Sequence, residues 1–84
     1  MATLIKADGT ETEVKPSKGS SFKLEELQKH VGGYIEPVRL VDGKTMLVDE
    51  DGRSKQLPYN EGASKRAGQT IVGNALIVNG REFR

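Results

Sequence analysis

Leu24-Glu25-Glu26-Leu27-Gln28-Lys29-His30-Val31-Gly32-Gly33-Tyr34-Ile35-Glu36 is the stretch on which the fold of this 84-residue chain turns. Leu24, Leu27 and Val31 fall at i, i+3 and i+7, so they share one helical face while Glu25, Glu26, Lys29 and His30 point mainly to water. With Lys23 as N-cap, Phe22 can staple onto Leu27 and Glu26 can fold back on the Lys23 N–H. Lys23 offers no acceptor for the other half of that capping box. Ser21 is the alternative cap, with an earlier helix start. Gly32 or Gly33 can then end the helix in a left-handed conformation that carries no Cβ penalty. Immediately behind them Tyr34, Glu36, Val38 and Leu40 alternate with Ile35, Pro37, Arg39 and Val41, which is the period of a strand. Pro37 cannot donate to a ladder, so the strand is an edge there or carries a bulge.

Outward from this centre, Asp42-Gly43 reads as a two-residue hairpin turn into a strand over residues 44–49, and Asp8-Gly9 as the same device between strands over residues 3–6 and 10–14. Residues 15–21, with Pro16, Gly19 and three serines, form a loop. Asp49-Glu50-Asp51-Gly52 makes an acidic turn, and Asn60 is an N-cap for a brief helix through residues 61–67 that Gly68 closes. The run from Ile71 to Val78 is apolar on both faces, interrupted by Gly73-Asn74, and belongs in the middle of a sheet. The expected fold is α+β: one small domain over residues 1–84 with about five mostly antiparallel strands in β-β-α-β-β-α-β order. With the helices on one face, Leu24, Leu27, Val31, Ile35 and residues 71–78 would share a core.

Composition narrows the classes. Hydrophobic residues make up 35 % and charged residues 30 %, and there is no cysteine, so neither disulfides nor thiolate metal sites are available and packing or an oligomer must stabilise so small a core. A reducing, cytoplasmic setting is expected, without a membrane span. The net charge of +1 hides an imbalance. Residues 1–51 hold seven basic and ten acidic side chains, and residues 52–84 hold six and two, giving −3 and +4. Arg53, Lys55, Lys65, Arg66, Arg81 and Arg84, with Tyr59 and Phe83 nearby, are therefore the candidates for a polyanion-binding surface.

Motifs of chemistry are scarce. Gly43-Lys44-Thr45 has the ending of a phosphate-binding loop, but Val38 stands where its first glycine belongs and the triplet sits in a hairpin. Asp49, Glu50 and Asp51 could offer oxygens to a hard cation, yet the spacing is not that of an EF-hand, and a solvated turn is the expectation. His30 is the lone histidine, and a structural place near a helix C-terminus, where the macrodipole favours a cation, is the expectation; no Gly-x-Ser-x-Gly elbow exists. Glu36 is the one carboxylate inside a strand pattern. If its face packs inward and neither Arg39 nor a backbone donor meets it, its pKa would rise as a general acid's does. Structural pairing or an edge position is the expectation, and a hydrolase would also need a second carboxylate or a metal beside it.

Phe22-Lys-Leu-Glu-Glu-Leu-Gln-Lys-His-Val-Gly-Gly-Tyr-Ile-Glu, Met46-Leu-Val-Asp-Glu-Asp-Gly, Leu57-Pro-Tyr-Asn60, Ala63-Ser64 and Ile71-Val-Gly-Asn-Ala-Leu-Ile together resemble a family of small phage and mobile-element domains of unknown function. The resemblance covers about residues 22–78, with Lys23 departing from the usual Ser or Thr. It implies a stand-alone module in a phage or plasmid setting and brings no activity, cofactor or catalytic residue with it. It nominates Tyr34, Glu36, Asn60 and Asn74, polar residues within its segments, as ligand-binding positions.

The expected function is thus a non-enzymatic binding module, without cofactor or metal, acting on a host protein or small ligand as a monomer or a homodimer. The alternative is a nucleic-acid or nucleotide binder using Arg53, Lys55, Lys65 and Arg66.

Overall fold

The computed structural model describes residues 2–17, 19 and 21–79. Its elements are β1 (Ala2–Ile5), β2 (Glu11–Val14), α1 (Leu24–Val31), β3 (Ile35–Arg39), β4 (Thr45–Asp49), α2 (Glu61–Ala67) and β5 (Ala75–Val78), in the expected β-β-α-β-β-α-β order. The five strands form one sheet in the order β2-β1-β5-β4-β3. Every pairing is antiparallel.

The doubly apolar run lies in the middle, as its composition requires: β5 is buried along its whole length between β1 and β4. Its side chains alternate between two cores. Leu76 and Val78 join Leu4, Leu47, Phe22, Leu27 and Val31, whereas Ala75 and Ile77 join Ile5, Met46, Val48, Ala63 and Ile71. Helix α1 therefore covers one face of the sheet and α2 the other, which corrects the expectation that both helices share a face. The reason is in β5 and β4 themselves, since strands apolar on both sides must be covered on both.

Leu24 is a second correction. It is 57 % exposed, because Phe22, just ahead of the helix, fills the place against Leu27 and Val31. The first turn is otherwise built as its residues dictate. Glu26 accepts from the Lys23 N–H at 2.9 Å and also from the Ser17 N–H at 2.8 Å, and these donors hold its carboxyl below the ordinary glutamate range.

Both hairpin turns use one design, and it is not the two-residue turn expected from Asp-Gly. Gly9 N–H donates to Lys6 O and Lys6 N–H to Thr10 O, while Gly43 N–H donates to Leu40 O and Leu40 N–H to Lys44 O. Asp8 and Asp42 each accept from the N–H two residues on, at 2.9 and 3.0 Å. Only the glycines are left-handed, at φ +95° and +86°. A two-residue type I′ turn needs both central residues there, so the loop takes a third residue.

Pro37 sits in an edge strand without loss. Glu50 N–H donates to Tyr34 O and Leu40 N–H to Lys44 O, and with Glu36 opposite Val48 the even-numbered residues of β3 turn their N–H groups to β4. The backbone nitrogens of Ile35, Pro37 and Arg39 face outward. The missing N–H falls on the open edge, where it blunts strand addition.

The run expected as a strand from Ile71 is shorter in the sheet. Residues 69–72 instead cross beside β4, and Val72 forms an isolated antiparallel bridge with Tyr59. That detour shapes the groove described next.

Candidate functional site

Helix α2 covers only part of its face of the sheet. Gly62 lies over Ile5, and Arg66 reaches Glu11 at 3.0 Å, so the helix sits on the β1–β2 side. Among the described residues the β3–β4 side is roofed by residues 69–72 and the turn after β4, leaving a groove of about 330 Å³. Val38 and Val48 make its apolar floor, and Ile71 and Val72 are the apolar part of its cover. Glu36, Glu50, Arg53, Ser54, Gln69 and Thr70 supply its polar walls.

The nominated residues do not all meet there. Glu36 is exposed and lines the groove. Tyr34 is 69 % exposed and precedes β3, outside the lining. Asn60 is 1 % exposed: its amide donates to Ile5 O at 2.9 Å and Gly73 O at 2.8 Å, and its Oδ1 accepts from Ala63 N–H at 3.0 Å. All of these side-chain hydrogen bonds go into joining β1, α2 and the segment before β5. Asn74, half-buried, follows that segment.

The four cations of the alternative reading are dispersed. Lys65 pairs with Glu61 at 3.2 Å one turn back along α2, and Arg66 pairs with Glu11. Lys55 meets Asp49 at 2.8 Å. Among the described residues Arg53 alone of the four has no carboxylate partner, and it is the one that lines the groove. Arg81, Phe83 and Arg84 lie outside the described residues.

Asp49 is what the sequence reading missed. It ends β4, opposite Ile35, and its side chain is 1 % exposed rather than part of a solvated turn. Oδ2 accepts from Lys55 Nζ and Oδ1 from the Asp51 N–H, each at 2.8 Å. Burial pushes the Asp49 carboxyl up, and the Lys55 and Asp51 hydrogen bonds with the Lys55 charge outweigh it, so the group rests below its ordinary value. The hydrogen bond that Lys55 donates to Asp49 raises the Lys55 pKa in turn. Gly33 lies directly against the pair, where an added Cβ would stand 2.6 Å from Lys55 Nζ and 2.9 Å from Asp49 Oδ2. The ion pair thus ties the end of α1 to β4 and to the turn that carries Arg53 and Ser54. A carboxylate six residues before a lysine carries no local period, which is why spacing gave no sign of it.

That turn stores strain at Gln56, the one described non-glycine residue with a positive φ, +57°. A left-handed L-residue costs about 1–2 kcal/mol, partly offset by the chain entropy that glycine loses on folding. Gln56→Gly is expected to raise stability by up to about 1 kcal/mol in a chemical denaturation series, and Gln56→Val to lower it.

His30, the lone histidine, stands edge-on to Phe22 with ring centroids 6.2 Å apart. Among the described residues no three His, Cys, Asp or Glu side chains gather as metal ligands, and no helix is long and apolar enough to cross a membrane.

No curated protein and no solved structure matches the chain. A family does: residues 1–83 match the one described as a domain of unknown function, DUF3846, and the chain belongs to it.

Proposed function

We propose that this chain is a non-enzymatic binding module whose site is the groove between β3–β4 and residues 69–72, and that it takes a small ligand there. The observation that supports this reading is the convergence of Glu36 and Arg53, with Glu50, Ser54 and Thr70, over an aliphatic floor. Few polar groups around an apolar base is the usual composition of a small-molecule site. Glu36 and Glu50 are also a carboxylate pair, and burial of one member is one way such a pair is divided into acid and base. Both are exposed, which favours holding a ligand over transforming one. The likeness of residues 22–78 to phage and mobile-element domains supports a phage or plasmid setting.

The nucleic-acid reading is weaker because Lys55, Lys65 and Arg66 already face carboxylates. A thermal melt against nucleotides, amino acids, single-stranded DNA and RNA, and duplex DNA at low and high salt separates the readings. A ligand at a hundred times its dissociation constant adds about 2.7 kcal/mol, several degrees of Tm at this size. The proposal expects a salt-resistant shift with one small-molecule class. A shift with every polyanion that fades with salt would replace it by the nucleic-acid reading, and no shift with any small molecule would count against it.

A further inference from the structure

The charges lining the groove point to a class of ligand, provided that the groove is the binding site proposed above. Glu36 pairs with Val48 in the β3–β4 register, and Tyr34 with Glu50 beyond the strand ends. Glu36 and Glu50 are therefore diagonal neighbours on the same face, about 7–8 Å apart at Cα. Two like charges at that spacing disfavour each other unless a cation stands between them. Among the described residues neither carboxylate has a hydrogen-bond or ion-pair partner, and neither does the Arg53 guanidinium that lines the same groove. Lys55, Lys65 and Arg66 pair with other carboxylates, so among the described residues no cation is paired with Glu36 or Glu50.

We infer that the groove binds a small zwitterion, an α-amino acid with an aliphatic side chain. The ammonium sits between Glu36 and Glu50, the carboxylate lies on Arg53, and the side chain rests on Val38 and Val48. Each pole of the ligand meets a group of opposite charge that is otherwise unpartnered, and charge-assisted contacts of this kind are the strong ones. A phosphate or nucleotide would bring its anionic group to two carboxylates and one guanidinium, a poor match. A simple amine would leave Arg53 unused. At about 330 Å³, near the lower end for ligand sites, the space suits one amino acid. A peptide separates its two charged ends beyond the reach of one groove.

The test is a titration followed by methyl resonances of Val38, Val48, Ile71 and Val72. The probes are L-leucine, 3-methylbutylamine, 4-methylpentanoate and adenosine. Leucine is expected to move these methyls saturably. The amine and the acid, each carrying one pole, should bind at least about tenfold more weakly. Glu36→Gln and Arg53→Gln should each weaken leucine by about tenfold, and resonances of the Leu4, Leu47 and Leu76 core should stay in place as the check on folding. Amine binding as tight as leucine binding would make this a cation site and overturn the zwitterion. So would the methyls responding to adenosine or to a one-pole probe but not to leucine, while the groove itself stood as a site. No response to any probe would overturn both.

Discussion

Asn60→Ala is expected to remove a large part of the folding stability, about 3–5 kcal/mol. Three losses combine. The N-cap of α2, worth about 1 kcal/mol, disappears with Oδ1, and the carbonyls of Ile5 and Gly73 lose their donor inside the protein. A buried polar group left unsatisfied costs about 1–3 kcal/mol. An 84-residue domain holds only about 4–12 kcal/mol in total. Asn60→Asp separates the contributions: its carboxylate still caps Ala63, but it cannot donate to either carbonyl and would be a buried charge. Urea denaturation should therefore place both Asn60 variants far below wild type. If both unfold near the wild-type midpoint, this side chain does not join the three segments. The adjoining Ser64 hydroxyl, which donates to Asn60 O at 2.7 Å and accepts from Ile71 N–H at 2.8 Å, extends the same network and should couple to Asn60 in a double-mutant cycle.

The second large effect is expected at Asp49, through loss of its partner. In Lys55→Met the carboxylate remains, with a side chain only 1 % exposed, and it keeps the Asp51 N–H but loses its countercharge. Breaking a fully buried pair in this way costs about 3–5 kcal/mol. That figure is an upper bound for stranding Asp49, because water reaches this site from the Lys55 side. The pH dependence is the sharper signature. In the wild type the Asp49 pKa is lowered, so its contribution is present above the unfolded value near 3.8 and is lost as pH falls through the folded value. In the variant only burial and the Asp51 N–H act on the group, and burial is the largest of its influences. Its pKa then rises, and stability falls as pH climbs past the unfolded value. The gap between the two proteins should thus be widest near pH 7 and narrow toward about pH 4. Denaturation midpoints at the two pH values measure it, and a gap independent of pH would mean that the loss is one of packing alone. Gly33→Ala should weaken the same pair sterically, since its Cβ would enter the space between Lys55 and Asp49.

Much of the fold is written locally. The i, i+3, i+7 spacing in α1, the Glu26 fold-back, the glycine that ends each helix and the alternation of β3 and β4 each concern residues a few positions apart. Short-range sterics and hydrogen bonding therefore determine them from sequence alone. The central place of β5 follows as directly, because four consecutive apolar residues can be buried only in the interior of a sheet. The turn length of the hairpins was less legible. Asp-Gly suits either a two-residue or a three-residue loop, and the choice depends on whether the aspartate itself must go left-handed.

What tertiary structure decided is the placement of elements relative to one another. That β4 and β5 need cover on both faces is legible in their apolar runs, but that α2 is the element on the second face depends on the direction the chain takes after Gly52, which no local pattern encodes. The candidate site has the same origin. Glu36 was visible as a carboxylate in a strand and Arg53 as a member of a basic half, but they belong to different readings until residues 69–72 cross β4 and close a groove over them. Asn60 shows the converse: a polar residue in a marked segment looked like a ligand contact, and the fold uses it to satisfy three backbone groups. By itself the sequence determined the elements, their order and the identity of the central strand, since those rest on local periodicity and burial. Only the tertiary structure decided which faces the helices cover, which charges are paired and which remain open to a ligand. Those depend on contacts between residues far apart in the chain, which carry no local period.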